Sequence, residues 1–410
     1  MDECCESGRL RCSSARLERV RASMAEQGID ALFVRNLSDI AWLTGFEDVF
    51  DDEPAHRVLI TGDGAYLHTD SRYSDACGRA ADAARAAADA DWSVETQPAS
   101  ASRWLMDHLR AIRPDASRNA SPSSEGEGHG EGIVVAIEDT LPLREFRALE
   151  SAAAESDVHA VFAETDSLVL ALRARKDPSE ISAMKKAQAI TDAAFASTVE
   201  YIRAAFASKK PVTEREVQLH LEETMRRLGS VGLAFSSIVA AGANGAAPHS
   251  IPGSRTLQRG DMVVMDFGAR FGGYCADMTR VVSIGYPGER EAAAYAAIRR
   301  ANEEVEALLR PGVTGRAAHD HAESVLAQCG FAGCMGHALG HGVGLDIHEQ
   351  PVLAPRNEEP LAAGNVVTIE PGIYIPGEFG CRLEDFGVVC EDGFEVFTQS
   401  SHDIVIIECL

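Results

Sequence analysis

An α/β domain followed by an α+β domain is the fold class that this 410-residue sequence predicts. Three observations lead there. Amphipathic and β-branched runs alternate through the first half. Long helices with capping signals and short β-branched runs are grouped in the second half. A composition of 45% hydrophobic and 25% charged residues gives a chain of this length room for two or three domains.

The first 14 residues, MDECCESGRLRCSS, offer acids and cysteines but no apolar run, and are expected to be a disordered tail. ARLERVRASMAEQGI is amphipathic and should be a helix ending at Gly28. ALFVRN and HRVLITGDGAYLHT look like strands, and CGRAADAARAAADAD is helix-prone through its alanines. Residues 114–132, PDASRNASPSSEGEGHGEG, hold almost nothing that could be buried, so a mobile surface loop with a solvated His129 is expected. The strand IVVAIE and a helix around Leu143 to Ala152 complete a first domain over 15–166.

A second domain is expected over 167–410. Asp177 can cap a helix whose first residue is Pro178 and whose third is Glu180. Thr213 and Glu216 repeat the device before a helix that stops at Gly229, and a further helix should run from about Glu289 to Leu309. Between and after them, DMVVMDFGA, RVVSIG, NVVTIEPGIYI and RLEDFGVVC read as strands of an antiparallel or mixed sheet. There is no fixed-period repeat.

A formal net charge of −25 would repel a phosphate backbone, so neither nucleic acid nor an anionic membrane surface is an expected partner. No stretch reaches the ~18 apolar residues of a membrane span, and the acidic start does not resemble a secretory signal, which points to a cytoplasmic protein. The ten cysteines, at positions 4, 5, 12, 77, 275, 329, 334, 381, 390 and 409, form no CxxC pair and fit reduced thiols better than a disulfide framework. Cys4, Cys5 and Cys12 could scavenge a soft metal, but free thiols are the simpler reading.

Five side chains carry the candidate chemistry: Asp266 in VVMDFGA, Asp277 in GGYCADMTR, His341 in LGHGVG, Glu370 in TIEPG and Glu384 in CRLEDFG. Each sits in or beside a strand-like run, where a carboxylate is costly unless something positive compensates it. A Gly272-Gly273 turn between Asp266 and Asp277 would let one hairpin deliver both carboxylates to one place. Four carboxylates and one imidazole form an oxygen-rich donor set suited to manganese, cobalt or iron, or to magnesium, and they carry more charge than one divalent ion balances. Two ions ~3.5–4 Å apart would balance it. Taken singly, an Asp in a strand is usually a turn or edge residue. DFG also occurs in protein kinases, but no glycine-rich loop with a strand lysine and no HRD-type loop accompanies it. LGHGVG echoes a nucleotide loop without the strand-turn-helix context. His249, His337 and His348 could donate to a developing oxyanion or hold a carbonyl, the alternative for His337 and His348 being buried structural histidines.

In order and character, MDFGARFGGYCADMTR, HALGHGVGLDIHE, TIEPGIY and RLED resemble the motifs of the Xaa-Pro peptidases, aminopeptidase P and prolidase, of the pita-bread metallopeptidase family. The likeness extends over about 173–410. RLERVRASMAEQGIDALFV, LSDIAWLTGF and HTDSRYSDAC are similar to that family's creatinase-like N-terminal domain. The resemblance implies a pita-bread catalytic domain with a curved, mainly antiparallel sheet and two manganese-type ions held by Asp266, Asp277, His341, Glu370 and Glu384. Asp277 and Glu384 would bridge the ions. A hydroxide between them would attack the scissile carbonyl, with Glu370 as general base and then acid. His249 and His348 would steady the substrate, His337 would face the residue on the proline side, and Arg382 would brace the acidic network with Tyr374 alongside. Proline-containing peptides as substrates and a homodimer belong to the same expectation.

The alternatives come from the same fold. Methionine aminopeptidase shares the ligand set but lacks the N-terminal domain and usually the residues at 337 and 382. Creatinase lacks the metal centre, against which intact Asp266 and Asp277 argue. Relatives that have lost catalysis and bind peptides or histones show eroded ligand positions, and here none is missing.

Overall fold

Side chains that accept from free amides decide where the helices begin. In a computed structural model, which describes residues 12–46, 49–51, 53–96, 100–112, 132–165 and 168–408, Asp177 Oδ1 accepts from the amides of Ser179 (2.8 Å) and Glu180 (3.0 Å). Glu180 Oε2 in turn accepts from the Asp177 amide (2.8 Å). This capping box opens the 30-residue helix Pro178–Ala207. Thr213 and Glu216 make the same exchange ahead of the helix Glu214–Arg227.

The helix Cys12–Gln27 corrects one expectation, because it starts inside the stretch read as a disordered tail. Asp89 accepts from the amides of Ser13 (3.3 Å) and Ser14 (3.0 Å), and Ser13 Oγ donates to the Leu43 carbonyl (2.7 Å). A cap supplied from so far along the chain leaves no local signal. The expectations for Cys4, Cys5 and the loop at 114–131 fall outside the described residues.

Backbone contacts divide the chain into two units, 1–172 and 173–410. The first is a six-stranded mixed sheet in the order Ser93–Glu95, Ala65–His68, Arg57–Thr61, Ala31–Val34, Ile133–Glu138, Ala160–Thr165. Ala31–Val34 runs antiparallel to Arg57–Thr61 and parallel to Ile133–Glu138. Phe33, Leu59, Trp104, Leu109 and Ile137 are among its buried core.

In the second unit a four-stranded sheet has the order Val405–Ile407, Met278–Ile284, Met262–Phe267, Ile238–Ala241. A five-stranded one has the order Glu349–Leu353, Gly340–Gly342, Val366–Ile369, Asp385–Cys390, Gly393–Val396. Pairing is antiparallel except between Met278–Ile284 and Val405–Ile407. Phe195, Val217 and Leu221 from the helices Pro178–Ala207 and Glu214–Arg227 pack on Val263, Met265 and Phe267. Ile298, Val305, Ala322 and Val325 from the helices Glu289–Leu308 and Gly315–Gln328 share a core with Val367 and Ile369. The two sheets meet at an antiparallel bridge between Thr279 and Glu384. The fully buried Arg280 pins this seam, donating to the carbonyls of Thr279 (2.9 Å), Glu384 (2.7 Å) and Ser400 (2.8 Å) and to Asp385 Oδ1 (2.6 Å).

Asp385 also faces His402, whose Nε2 lies 2.9 Å from Asp385 Oδ2 while its Nδ1 lies 3.2 Å from Glu303 Oε1. Two carboxylates on two ring nitrogens select the imidazolium. The hydrogen bond to Asp385 raises the pKa of His402 above its ordinary 6.5, against the effect of burial. Stabilisation from a raised pKa is complete below about 6.5 and is lost as pH climbs through the folded value. His402→Gln is therefore expected to lower the thermal midpoint by ~2–4 °C at pH 6 and by much less at pH 9. Equal losses at both would exclude the imidazolium. Glu306, which burial pushes up to about 7, completes the cluster and is common to both proteins in that comparison.

Among the described residues, Cys77, Cys275, Cys329, Cys334, Cys381 and Cys390 are free thiols, and no helix is long and apolar enough to cross a membrane.

Candidate metal centre

The seam between the two sheets is where the five candidate side chains gather. Asp266 lies on the strand Met262–Phe267, and the chain returns to it through a tight hairpin. Gly272 and Gly273 have φ of 55° and 82°, and Phe271 pairs with Tyr274 across the turn. Asp277 follows, then Thr279, which pairs with Asp266 in register. His341 is the centre of the short strand Gly340–Gly342. Its flanking glycines are there for close approach: a Cβ on Gly340 would stand 2.1 Å from the Thr368 carbonyl oxygen, and one on Gly342 2.3 Å from that of Gln350. LGHGVG is thus a crowded strand and not a nucleotide loop. Glu370 ends the strand Val366–Ile369, its amide donating to the Leu339 carbonyl (2.8 Å), and Glu384 sits on the bridge to Thr279.

Ligand atoms of Asp277, His341 and Glu384 all lie within 4.8 Å of one another. His341 Nε2 is 3.6 Å from Asp277 Oδ2 and 3.5 Å from Glu370 Oε1. Its Nδ1 bonds to the Gly342 carbonyl (3.1 Å), which places the ring proton there and leaves the Nε2 lone pair facing the carboxylates. An imidazole lone pair facing carboxyl oxygens at these distances is an arrangement that a shared cation would satisfy. Two donors each ~2.1 Å from a shared ion stand no more than ~4.2 Å apart.

The charge balance says the same. Burial raises the pKa of Asp266, Asp277 and Glu384; Asp277 and Glu384 are raised furthest, with the neighbouring carboxylates adding to the effect. Glu370 is pushed up to about 8 by burial, and Asp266 contributes. Burial holds His341 down at about 4, hence neutral. Among the described residues Arg382 is the permanent cation paired with this cluster. It bonds to Asp266 Oδ2, donates from Nε to Thr279 Oγ1 (2.9 Å) and lies 3.9 Å from Glu370 Oε2. Asp266 Oδ1 is buried without a hydrogen-bond partner. An orphaned carboxylate oxygen, an outward lone pair and four acids against one guanidinium fit divalent cations.

The remaining expected residues surround this core. Arg382 Nη1 donates to Tyr374 Oη (2.8 Å), and Tyr374 Oη lies 3.2 Å from His337 Nε2. His337 Nδ1 bonds to the Ala338 carbonyl (2.6 Å). The proton order that satisfies this chain has Tyr374 donating to His337, a histidine held neutral by burial, at about 4. His348 is exposed and packs edge-on against His341 at 4.4 Å. His249, also exposed, lies on the loop after the 3-10 helix Gly242–Ala246, near enough for its charge to act on Asp266 and His337.

Three supporting residues escaped the sequence reading. Thr279 Oγ1 donates to Glu384 Oε2 (2.7 Å), so one hydroxyl joins Glu384 to Arg382. Its place two residues after Asp277, on the same strand face, was a usable signal. Thr368 Oγ1 accepts from the His341 amide (3.0 Å). Glu214, fully buried, accepts from the amides of Ala241 (2.9 Å) and Gly253 (3.1 Å), tying both ends of the His249 loop. In the sequence it reads only as an acid in a helix's first turn.

An α+β unit whose antiparallel sheets converge on a carboxylate-imidazole cluster, preceded by an α/β unit, defines a pita-bread metallopeptidase with a creatinase-type N-terminal domain. The family model for metallopeptidase family M24 matches residues 182–391, and that for the creatinase/prolidase N-terminal domain matches 16–175. The chain belongs to metallopeptidase family M24. It is similar to the solved Xaa-Pro dipeptidase from Bacillus anthracis, with 32% identity, a TM-score of 0.82 and coverage of 96% of this chain and 99% of that one. It is similar also to the X-Pro aminopeptidase from Thermotoga maritima MSB8, with 33% identity, a TM-score of 0.75 and coverage of 92% and 98%. A curated Xaa-Pro dipeptidase of Pyrococcus horikoshii is 33% identical over 276 residues, 67% of this chain and 76% of that protein.

Proposed function

We propose that the chain is a dinuclear metallo-exopeptidase that hydrolyses the bond between an N-terminal residue and proline, with Asp266, Asp277, His341, Glu370 and Glu384 holding two divalent ions, manganese by preference. The observation that carries the reading is the cluster itself, four buried or half-buried carboxylates against, among the described residues, the guanidinium of Arg382, with an orphaned oxygen on Asp266. Relatives named for Xaa-Pro substrates support the proline preference. So does the matched N-terminal domain, which the methionine aminopeptidase alternative lacks.

Bound ions would supply the missing positive charge, polarise the scissile carbonyl and make water nucleophilic at neutral pH. Glu370, which is half-buried, would take a proton from the attacking water and return it to the departing proline nitrogen. That nitrogen leaves as a secondary amine and needs the proton. His348, exposed and packed against His341, and the exposed His249 would hold the carbonyl and the tetrahedral species. His337 would line the proline side through its bond to Tyr374.

Comparing an Xaa-Pro dipeptide with an Xaa-Pro-Xaa tripeptide, in manganese, tests the reading. Cleavage of the tripeptide in preference makes the chain an aminopeptidase, preference for the dipeptide makes it a dipeptidase, and cleavage of neither overturns the proposal. His337→Ala is expected to lower kcat by ~10–100-fold with metal content intact. Parallel loss of metal would show that His337 and His341 have been assigned in the wrong order.

A further inference from the structure

We propose that Glu349 is a positioning residue: its buried carboxylate, gripped by Lys176 and Arg173, clamps the 343–348 loop and so fixes His348 against His341. The catalytic half of this inference rests on the peptidase reading; the clamp itself does not.

Glu349 opens the strand Glu349–Leu353 directly after His348. Its side chain and that of Lys176 are each 1% exposed. Oε2 accepts from Lys176 Nζ (2.9 Å), and Oε1 accepts from the amide of Asp346 (3.0 Å) and from Arg173 Nη2, which also reaches Asp346 Oδ2 (2.8 Å). The loop is wrapped on this carboxylate so closely that a Cβ on Gly344 would stand 2.4 Å from Oε2. From the other side, the Gly344 carbonyl accepts from the Cys275 amide (2.8 Å), two residues before Asp277. One carboxylate therefore orders a turn that leads from His341 to His348 and touches the strand running to Asp277.

The cations come from a fixed strap. The Lys176 amide donates to the Gly364 carbonyl (2.8 Å), Arg175 bridges to Asn365, and Asp177 begins the capping box of the long helix. Burial works against the charge on Glu349, but Lys176 and Arg173 outweigh it and hold the carboxyl below its ordinary value. A buried ion pair rarely stabilises more than apolar side chains of the same volume would. What it supplies is geometry, since the donors converge on two oxygens from the strap and from the loop. His348 is the last residue of this loop, and its exposed ring packs edge-on against His341.

Glu349→Gln keeps the shape and the Asp346 contact but removes the charge. Amide hydrogen exchange should show protection at 343–348 reduced at least about tenfold with the other strands of the second unit unchanged. On an Xaa-Pro substrate, kcat should fall ~10-fold with KM and metal content unchanged. In a double-mutant cycle, adding E349Q to His348→Ala should cost less than about 2-fold, because the residue acts through His348. Additive losses, or unchanged exchange in the loop, would overturn the proposal. Should E349Q loosen the whole unit, the Lys176→Met/Glu349→Gln pair, which also removes a stranded cation, decides it: protection regained everywhere except 343–348 upholds the clamp, and regained there too, it falls. If the unaltered protein cleaves no Xaa-Pro substrate, the peptidase reading fails, and the exchange result alone upholds or overturns the clamp.

Discussion

Asp277→Asn is expected to reduce hydrolysis by more than about 10³-fold and to strip metal from the protein, beyond the 10–100-fold loss usual for a residue that only supports a ligand. The same substitution is expected to stabilise the metal-free protein, by roughly 1–2 kcal/mol. The opposite signs have one cause. Without cations, burial and then the charges of Glu384, Asp266 and Glu370 all act to keep Asp277 from ionising. Each carboxylate so raised contributes stability that is complete below its ordinary pKa and is lost as pH rises through the folded value; for Glu370 that window runs from 4.5 to about 8. An asparagine at 277 takes one unwelcome charge out of that window. With cations bound the balance reverses, because the carboxylate is now what holds them. Thermal unfolding at pH 8 with chelator and with excess manganese, on both proteins, measures all four terms. A variant that stays metal-loaded and active, or is less stable than the unaltered protein under both conditions, removes Asp277 from the metal site.

The candidate ligands could be found in the sequence because each is an acid or imidazole in a run that is otherwise apolar, with glycines marking a hairpin or a close approach. Asp266, Asp277 and the Gly272-Gly273 turn between them gave a local geometry that the register of the hairpin repeats. Helix starts at Asp177 and Thr213 were legible for the same reason, since donor and acceptor are three residues apart. What was not legible is whatever depends on partners distant in sequence. The start of Cys12–Gln27 depends on Asp89, the His249 loop on Glu214, and the loop before His348 on Lys176 and Arg173. The helix Gly315–Gln328 is faint for another reason: it opens on Gly315, its buried face begins with the small or polar Ala318, His319 and Ala322, and the larger apolar Val325 and Leu326 come in its last turn.

Arg382→Met is expected to have the opposite effect on the metal-free protein, destabilising it by about 3–5 kcal/mol. Arg382 is buried on the strand Phe379–Arg382 and is bonded at once to Asp266, Thr279 and Tyr374. Losing it leaves Asp266 buried with no cation and adds to the repulsion that Asp277→Asn relieves, so the two substitutions should move the metal-free midpoint in opposite directions. Added manganese should recover part of the Arg382→Met loss, since the ions replace positive charge but not hydrogen bonds. Arg382→Lys separates those two contributions. A lysine restores the charge near Asp266 but cannot present the planar fork that reaches Thr279 Oγ1 and Tyr374 Oη together. Most of the stability should return, while kcat stays down by ~10²-fold, because Tyr374 no longer has the donor that orients it toward His337. Full activity in the lysine variant would mean that the guanidinium acts as a charge alone and that the Arg382–Tyr374–His337 chain has no part in turnover.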